Sequence, residues 1–407
     1  MVKELTISLL GHKDHGKSTL IGKMLIETGS ISEDRINEAR AICKGMGKEF
    51  EPGFLLDSFV EEREGGFTLD TTRVQIRSGE YIFNLIDVPG HKELVKNMLS
   101  GASNADCAIL IVSAMEGEGL QKETLLHIKL ARMLGLERMI VTINKMDFSG
   151  YDRSVFGKVE GEVKKALSEF GFDPGRMQFV PISALKGDNI AKKSINWYEG
   201  ESVLELMKGL YFDRGRMLRS LPARMVVQDY AEQGGEGIII GKVEAGVFRK
   251  GETIVSMPGR KKGAIRKIMG ARGETESVEA GQGAGFSCGF SASRGEVCMG
   301  PDSAPAPVRK LKAEIFCFPS SSVREGAHLK LICSSQESGA TLKSIASVFD
   351  PVSGKGGAPG IVGPGQFAHV EIETEKEMVL EQHSKMPVLG RFVLSDGKGI
   401  IGIGVVE

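Results

Sequence analysis

Cysteines, aromatic residues and long apolar runs are all scarce in this chain of 407 residues. The six cysteines, at positions 43, 107, 288, 298, 317 and 333, form no C-x-x-C pair, which argues against a zinc site and a disulfide framework. Aromatic residues make up 6% of the sequence. No apolar run has the length of a membrane span, and the sequence starts in a strand-like run without a signal-peptide pattern. We therefore expect a cytoplasmic protein with no membrane partner.

A strong excess of charge of either sign is also lacking. The formal net charge is −1, which argues against a protein whose whole surface binds nucleic acid. Hydrophobic residues at 41% and charged residues at 26% are typical of globular proteins. A chain of this length is long enough for two or three domains with separate cores.

The pattern of apolar residues changes near residue 215. Up to that point, strand-like runs such as "YIFNLID", "CAILIVSA" and "RMIVTIN" alternate with segments of helical period, which predicts an α/β domain with a mostly parallel sheet and helices on both faces. Beyond it, short strands separated by glycines predict two β-barrels, joined by the proline-rich linker "GPDSAPAPVRK". We place the domains at residues 1–215, 221–304 and 306–407. Residues 354–365 are predicted to form a flexible surface loop.

The stretch "LLGHKDHGKSTL" has the spacing of a phosphate-binding loop. Gly11 and Gly16 enclose four residues, and Lys17 and Ser18 follow. In this pattern backbone N–H groups surround a di- or triphosphate at a helix N-terminus, the lysine meets the outer phosphates and the serine hydroxyl meets Mg²⁺. The strand-like "ELTISLL" before the loop and a helical pattern ending near Gly29 after it support the interpretation.

Two further stretches each end a predicted strand with polar residues. In "LIDVPGH", Asp87 can hold Mg²⁺ through water, while Gly90 and His91 follow where a γ-phosphate would lie. In "INKMD", Asp147 can accept two hydrogen bonds from guanine, a donor pair that adenine lacks, and the Lys145 stem can pack on the base.

A fourth stretch, "ISALKGD", completes a predicted guanine site. Its Ser183 and Ala184 lie at a strand end, where the Ala184 N–H can meet the guanine O6. The four stretches together predict GTP or GDP as the ligand. The predicted nucleotide-binding residues are Gly11, His12, Asp14, His15, Gly16, Lys17, Ser18, Thr19, Asp87, Gly90, Asn144, Lys145, Asp147, Ser183, Ala184 and Leu185.

The motifs "GHKDHGKST", "DVPGH", "NKMD" and "SAL" together resemble those of the translational GTPases. The stretch "LLDSFVEEREGGFTLD" is similar to the first switch segment of elongation factor 1-alpha and its relatives. The likeness continues through "NWYEGESVLELM", "GKVEAGVFRKGE" and "LGRFVLSDGKGIIGIGVV", so it touches all three predicted domains. It implies an α/β P-loop GTPase domain followed by two β-barrel domains.

The resemblance also implies a catalytic set and a metal site. Thr68 would close on Mg²⁺ and the γ-phosphate, His91 would orient the attacking water, and Asp14 would contribute to transition-state charge. Lys17 completes the catalytic set, and Ser18, Thr68 and Asp87 form the predicted Mg²⁺ site. No arginine finger is evident, which predicts slow hydrolysis until a large partner, the ribosome, fixes His91.

The sequence departs from the family pattern in two places. Gly65 and Phe67 stand where the family has arginine or glutamine and isoleucine, which predicts a first switch that is costlier to order. In the third domain, "LKLICSSQESGATLKSI" lacks the His-Thr strand of tRNA carriers. The basic clusters "PGRKKGAIRK" and "PVRKLK" fit RNA phosphates and solvated hairpins equally well. Trp197 and Tyr198 are predicted to be packing residues.

Three functions compete. The leading hypothesis is a translation factor that brings aminoacyl-tRNA, or a tRNA-mimicking release or rescue protein, to the ribosome, with an exchange factor as a further candidate partner. The second is the GTPase subunit of a sulfate adenylyltransferase, which "GASNAD" and "PISALKGDNI" also resemble. The third is a GTP-controlled scaffold with little hydrolysis, which Gly65 suggests.

Overall fold

The chain divides into two compact units of similar size. The computed structural model of the protein describes residues 2–56, 73–87, 105–233, 236–351 and 353–407. The first unit comprises residues 1–212 with 351–353, and the second comprises residues 213–350 with 354–407.

The first unit is built on a mixed sheet with the strand order β2-β3-β1-β4-β5-β6 among its described residues. All neighbouring strands are parallel except β2, which pairs antiparallel with β3 at the edge. The strands are β1 (Lys3–Leu10), β2 (Arg73–Ser78), β3 (Tyr81–Asp87), β4 (Cys107–Ser113), β5 (Met139–Asn144) and β6 (Gln178–Pro181). The described helices are α1 (Lys17–Glu27), α2 (Glu33–Gly45), α3 (Lys122–Met133), α4 (Arg153–Glu169) and α5 (Val203–Gly209).

The apolar runs of the sequence form the centre of this sheet. Every residue of β4 and β5 is buried, as expected for strands covered on both faces. Their carboxyl ends lie on the same sheet edge as those of β1 and β3, because these strands are parallel. This edge is where ligands bind in open α/β sheets.

The second unit begins with α6 (Arg214–Ser220) and contains two larger antiparallel sheets among its described residues. The first has the order β11-β10-β16-β7-β8-β15-β12-β13, beside a β9–β14 ribbon, and it surrounds a core that includes Phe248 and Phe286. Its strands are β7 (Arg224–Gln233), β8 (Glu236–Ala245), β9 (Val247–Arg249), β10 (Thr253–Met257), β11 (Lys261–Ala264), β12 (Lys267–Gly270), β13 (Gly273–Thr275), β14 (Ser277–Glu279), β15 (Gly283–Ser287) and β16 (Val297–Met299).

The other sheet closes into a six-stranded barrel of order β19-β24-β25-β17-β23-β20, because β19 also pairs with β20. The strands of this part are β17 (Val308–Cys317), β18 (Val323–Arg324), β19 (His328–Cys333), β20 (Gln336–Asp350), β21 (Lys355–Gly356), β22 (Ile361–Val362), β23 (Phe367–Met378), β24 (Arg391–Ser395) and β25 (Ile400–Val406), with α7 (Pro387–Gly390) before β24. The loop predicted at residues 354–365 is not wholly irregular: β21 pairs with β20, and β22 pairs with β18.

A buried arginine joins the two sheets of the second unit. Arg224, 1% exposed, places Nε 2.7 Å from Glu381 Oε1 and donates from Nη2 to the Ser303 carbonyl at 2.7 Å. An apolar cluster that includes Val226 and Val379 packs at the same junction. Ser303 belongs to the predicted linker, so this segment takes part in the junction.

The predicted α/β P-loop GTPase fold followed by β-barrel domains is confirmed, whereas the exact domain limits stay a prediction. Within the described ranges, no helix combines the length and hydropathy that a membrane crossing requires. All six cysteines are free and buried. Burial raises the pKa of Cys288, Cys317 and Cys333 to about 12, so these thiols behave as small apolar side chains.

Candidate nucleotide-binding site

The loop between β1 and α1 has a backbone that requires its glycines. Gly11 and Gly16 have φ values of 138° and 91°, and Asp14 also lies in the left-handed region at 63°. A Cβ on Gly11 would lie 2.3 Å from the Ile111 carbonyl oxygen, and one on Gly16 would lie 2.3 Å from Asn144 Nδ2. A side chain therefore fits at neither position, and the loop can stay closely curled against β4 and β5.

The Lys17 ammonium is held inside this loop. Lys17 is 7% exposed, and its Nζ donates to the carbonyl oxygens of Gly11 at 3.0 Å and His12 at 2.9 Å. Burial lowers the pKa of Lys17, while the carboxylates of Asp87 and Asp14 act in the opposite direction. A nearly desolvated cation at the start of α1 attracts phosphate oxygens more strongly than a solvated one.

Ser18 and Asp87 come together beside Lys17. The Ser18 hydroxyl donates to Asp87 Oδ2 at 3.0 Å, although the residues are 69 positions apart. A hydroxyl and a carboxylate oxygen are hard donors that suit Mg²⁺, which usually takes few protein ligands and completes its shell with water and phosphate oxygens. The pair therefore fits the predicted metal. Thr68, the third predicted ligand, lies outside the described residues.

Asn144 forms hydrogen bonds both to the phosphate loop and to the segment predicted to contact the base. Its Nδ2 donates to the His15 carbonyl at 2.7 Å, and its Oδ1 accepts from the Ala184 N–H at 2.8 Å. Asn144 is 2% exposed, so both bonds are shielded from water. The Ala184 N–H, which the sequence analysis assigns to guanine O6, is thus directed at Asn144 here, and its bond to the base stays a prediction.

Lys145 and Asp147 stand at the end of β5. Lys145 adopts a φ of 63° and starts the 3₁₀ turn Met146–Ser149. Its Nζ lies 2.8 Å from Glu118 Oε2, so the ion pair holds the lysine stem along one side of the cleft. Asp147 is half-buried in the same cleft. This placement fits a base packed on the Lys145 stem with its edge toward Asp147.

Most of the predicted residues line one cleft of about 610 Å³. They are Asp14, Gly16, Lys17, Ser18, Thr19, Asp87, Asn144, Lys145, Asp147, Ala184 and Leu185. The sequence analysis missed Lys13, Glu51, Gly53, Phe54 and Phe148, which line it too. The position of Phe148, next to Asp147, was a signal that could have found it. No motif marks residues 51–54, which reach the cleft because the backbone at Pro52 lies against α1.

Four predicted residues stand behind the cleft and support it. Gly11 donates its N–H to Nδ1 of the buried His127 at 3.0 Å, and His12 Nδ1 lies 2.9 Å from Glu123 Oε2. His15 is 1% exposed, and burial lowers its pKa to about 4. Ser183, also buried, bridges to Asp188.

The remaining predictions concern residues that the structure does not describe. These are Gly65, Phe67, Thr68, Gly90 and His91, which lie in residues 57–72 and 88–104. The described part of the site carries groups suited to a nucleotide and to a metal ion, and the residues predicted to act on the γ-phosphate stay predictions.

A phosphate loop, a serine–aspartate pair and an N-K-M-D strand end around one cleft define a P-loop GTPase. The family described as elongation factor Tu GTP binding domain matches residues 3–222, and the GTP-eEF1A C-terminal domain-like family matches residues 310–407. The chain therefore belongs to the elongation factor 1-alpha family of translational GTPases, and the resemblance inferred from its motifs is confirmed.

Relatives named elongation factor 1-alpha match the chain over nearly its whole length. The protein of Pyrobaculum aerophilum is 34% identical over 99% of this chain and 94% of its own. That of Sulfolobus acidocaldarius is 35% identical over 99% of this chain and 96% of its own. A solved structure of sup35 complexed with GDP covers all of this chain at 21% identity, with a TM-score of 0.44.

Proposed function

We propose that this GTPase brings aminoacyl-tRNA, or a protein factor of tRNA-like shape, to the ribosome in the cytoplasm and dissociates after GTP hydrolysis. The observation that carries the proposal is the match to elongation factor 1-alpha over 99% of the chain. The sulfate adenylyltransferase hypothesis has no comparable support, because both matching families belong to translation factors.

The contacts in the cleft support the nucleotide roles proposed for its residues. Lys17 binds the β- and γ-phosphates, because its buried ammonium is held against the phosphate loop by the carbonyl oxygens of Gly11 and His12. Ser18 and Asp87 would hold Mg²⁺, which would neutralise phosphate charge. Asp147 selects guanine, since a carboxylate accepts from both N1–H and the exocyclic amine.

The hydrolysis step rests on residues implied by the resemblance. His91 orients the water, Thr68 closes on the γ-phosphate and Asp14 adds to transition-state stabilisation. Positioning supplies most of the acceleration in phosphoryl transfer. The free protein is therefore a slow enzyme that its ribosome-bound state activates.

The choice of cargo depends on the second unit. The cluster "PVRKLK" forms ion pairs between the neighbouring strands β17 and β23: Lys310 lies 3.8 Å from Glu373, and Lys312 lies 3.8 Å from Glu371. These carboxylates reduce the attraction of this face for RNA phosphates. This favours the solvated-hairpin interpretation of the cluster, and it makes a protein factor a serious second candidate for the cargo.

The first experiment measures protection of the aminoacyl ester of bulk charged tRNA from spontaneous hydrolysis. The full chain is loaded with GTP, GDP or a non-hydrolysable GTP analogue. Protection with GTP and its analogue, but not with GDP, is the expected result. Asp147→Asn is the matched control, because the asparagine amide donates a hydrogen bond to the base where the aspartate carboxylate accepts one. The variant should lose protection with GTP and regain it with xanthosine triphosphate.

Other outcomes, of this experiment and of GTP turnover assays, would favour the competing hypotheses. Lack of protection in every state would overturn tRNA carriage and direct the search to protein cargo. Sulfate-dependent GTP turnover with an adenylylating partner would overturn the translation assignment. Failure of ribosomes to stimulate hydrolysis would favour the scaffold hypothesis.

His91→Ala tests the hydrolysis step. We expect GDP and GTP affinities within about 3-fold of wild type, because the residue is assigned to the water and not to the nucleotide. Ribosome-stimulated hydrolysis should fall by at least about 100-fold. Single-turnover hydrolysis with and without ribosomes provides the measurement, and full stimulation in the variant would remove His91 from the mechanism.

A further inference from the structure

A tyrosine outside the nucleotide motifs joins two segments of the base site. Tyr151 follows the 3₁₀ turn that carries Asp147, and its backbone N–H donates to the Met146 carbonyl at 2.9 Å. Its hydroxyl donates to Asp188 Oδ2 at 2.6 Å. Asp188 belongs to the loop that begins with Ser183 and Ala184. One side chain therefore spans from the aspartate turn to the alanine loop.

The acceptor of this hydrogen bond is itself fixed. Asp188 Oδ1 accepts from the Ser194 hydroxyl at 2.9 Å, so both carboxylate oxygens are engaged. The Asp188 backbone bridges to Ser183. Movement of the Asp188 carboxylate would thus move the backbone of the loop that carries Ala184.

The backbone of Tyr151 is also fixed by its surroundings. Tyr151 has a φ of 61°, a conformation that is uncommon for a bulky residue and persists only where the surroundings hold it. Its carbonyl accepts from Trp197 Nε1 at 2.7 Å, and the Trp197 ring packs against Phe156 of α4. The packing role predicted for Trp197 thus includes an anchor for Tyr151.

We propose that Tyr151 is a positioning residue for guanine recognition. Its hydrogen bond to Asp188 fixes the distance between the Asp147 carboxylate and the Ala184 N–H, the two groups assigned to opposite parts of the base edge. The inference rests on the proposed guanine assignment and adds to it a specificity residue that touches no nucleotide.

The chemistry of the contact supports a positioning role over simple packing. A hydrogen bond to a carboxylate is stronger than one between neutral groups, and it fixes direction as well as distance. A backbone bond from Met146 N–H to the Ile182 carbonyl, at 3.1 Å, already joins the two segments that follow β5 and β6. The Tyr151 bond adds a second point of attachment at Asp188, so Ala184 lies in the chain between two residues that are hydrogen-bonded to the Met146–Tyr151 segment.

Tyr151→Phe is the test, because it removes the hydroxyl and keeps the ring. Equilibrium affinities of the full chain for GDP and for inosine diphosphate, which lacks the 2-amino group, are measured side by side. We expect GDP affinity to fall about 5- to 20-fold, and the preference for GDP over inosine diphosphate to fall about 3- to 10-fold. Tyr198→Phe is the matched control, since it removes the hydroxyl of a buried tyrosine of the first unit that has no part in the Asp188 contact and does not line the nucleotide cleft. It should leave the preference unchanged.

Ser194→Ala is a second variant, which removes the hydrogen bond to the other carboxylate oxygen of Asp188. It should lower the preference for GDP over inosine diphosphate by a smaller factor. An unchanged preference in both variants, even with a lower melting temperature, would overturn the positioning role and leave Tyr151 a packing residue. A wild-type protein with no preference for GDP would instead overturn the guanine assignment itself.

Discussion

At the scale of single residues, buried imidazoles support the phosphate loop. His127 is 2% exposed, and its Nδ1 must be unprotonated to accept the Gly11 N–H. Burial, with a contribution from the nearby charge of Lys17, lowers the pKa of His127 to about 3. The neutral ring can accept the bond without placing a second positive charge beside Lys17, and it is the form that burial favours.

This arrangement predicts acid sensitivity. The folded-state pKa of His127 lies below the unfolded value of about 6.5, so the unfolded chain takes up the proton first and stability falls as pH drops from about 6.5 toward 3. Between pH 7 and pH 5 this histidine should cost about 2 kcal/mol of unfolding free energy. His127→Asn keeps a hydrogen-bond acceptor but cannot ionise. Between pH 7 and pH 5 the variant should therefore lose about 2 kcal/mol less unfolding free energy than the wild type.

Urea unfolding followed by Trp197 fluorescence provides the measurement, because the single tryptophan reports on the first unit. The exposed His328→Asn is the control and should keep the wild-type pH dependence. Equal pH dependence in His127→Asn and wild type would show that His127 does not govern acid stability.

At the scale of elements, α1 shows how close packing overrides helix propensity. Gly22 lies inside α1, where alanine is normally more favourable by about 1 kcal/mol. A Cβ there would lie only 2.0 Å from the Pro52 carbonyl oxygen. That contact places residues 51–54 beside Thr19 and brings Phe54 into the nucleotide cleft.

Gly22→Ala should therefore destabilise the first unit by about 1–2 kcal/mol, because displacing a backbone carbonyl costs more than the helix gains. GDP affinity should fall as well, since residues 51–54 line the cleft. Gly161→Ala is the matched control inside α4, where a Cβ would meet nothing within 4 Å, and it should stabilise by about 0.5–1 kcal/mol. Chemical unfolding measures the stability of both variants, and GDP titration measures their affinity. A stabilising effect of Gly22→Ala would contradict the close contact between Gly22 and the Pro52 carbonyl.

At the scale of the whole molecule, the Arg224–Glu381 pair holds the two sheets of the second unit together. Burying an arginine is costly unless its donors are satisfied, and here Glu381 and Ser303 satisfy them. The Arg224 side chain is 2% exposed, so little water reaches its guanidinium group.

Glu381→Gln should destabilise the second unit by about 3 kcal/mol, because it leaves the Arg224 charge buried without a counter-ion. Hydrogen exchange of the strands at the junction, β7 and β16, should rise together with that of β23. Glu252→Gln is the control: its partner Arg249 is 63% exposed at 3.6 Å, and the change should cost less than about 1 kcal/mol. A rise in hydrogen exchange confined to one sheet would show that the Arg224–Glu381 pair does not couple the two sheets.

Much of the fold and the site follows from local patterns in the sequence. The buried strands β4 and β5, the helix after the phosphate loop and the change to an all-β architecture are visible in apolar periodicity. The phosphate loop correctly indicates a nucleotide-binding protein, because phosphate binding requires glycines, a lysine and a hydroxyl at fixed spacing, and the resemblance of the motifs as a set correctly indicates the elongation factor 1-alpha family.

The tertiary structure alone decided which distant residues support those motifs. Contacts such as Gly11 with His127 and Tyr151 with Asp188 join segments that have no common sequence signal. The sequence by itself determined the elements and the chemistry of the nucleotide loops, since these depend on side-chain periodicity and on short-range backbone geometry. The structure determined which side chains hold those loops in place and how the two sheets of the second unit are joined. Such contacts exist only once the chain has packed into its cores.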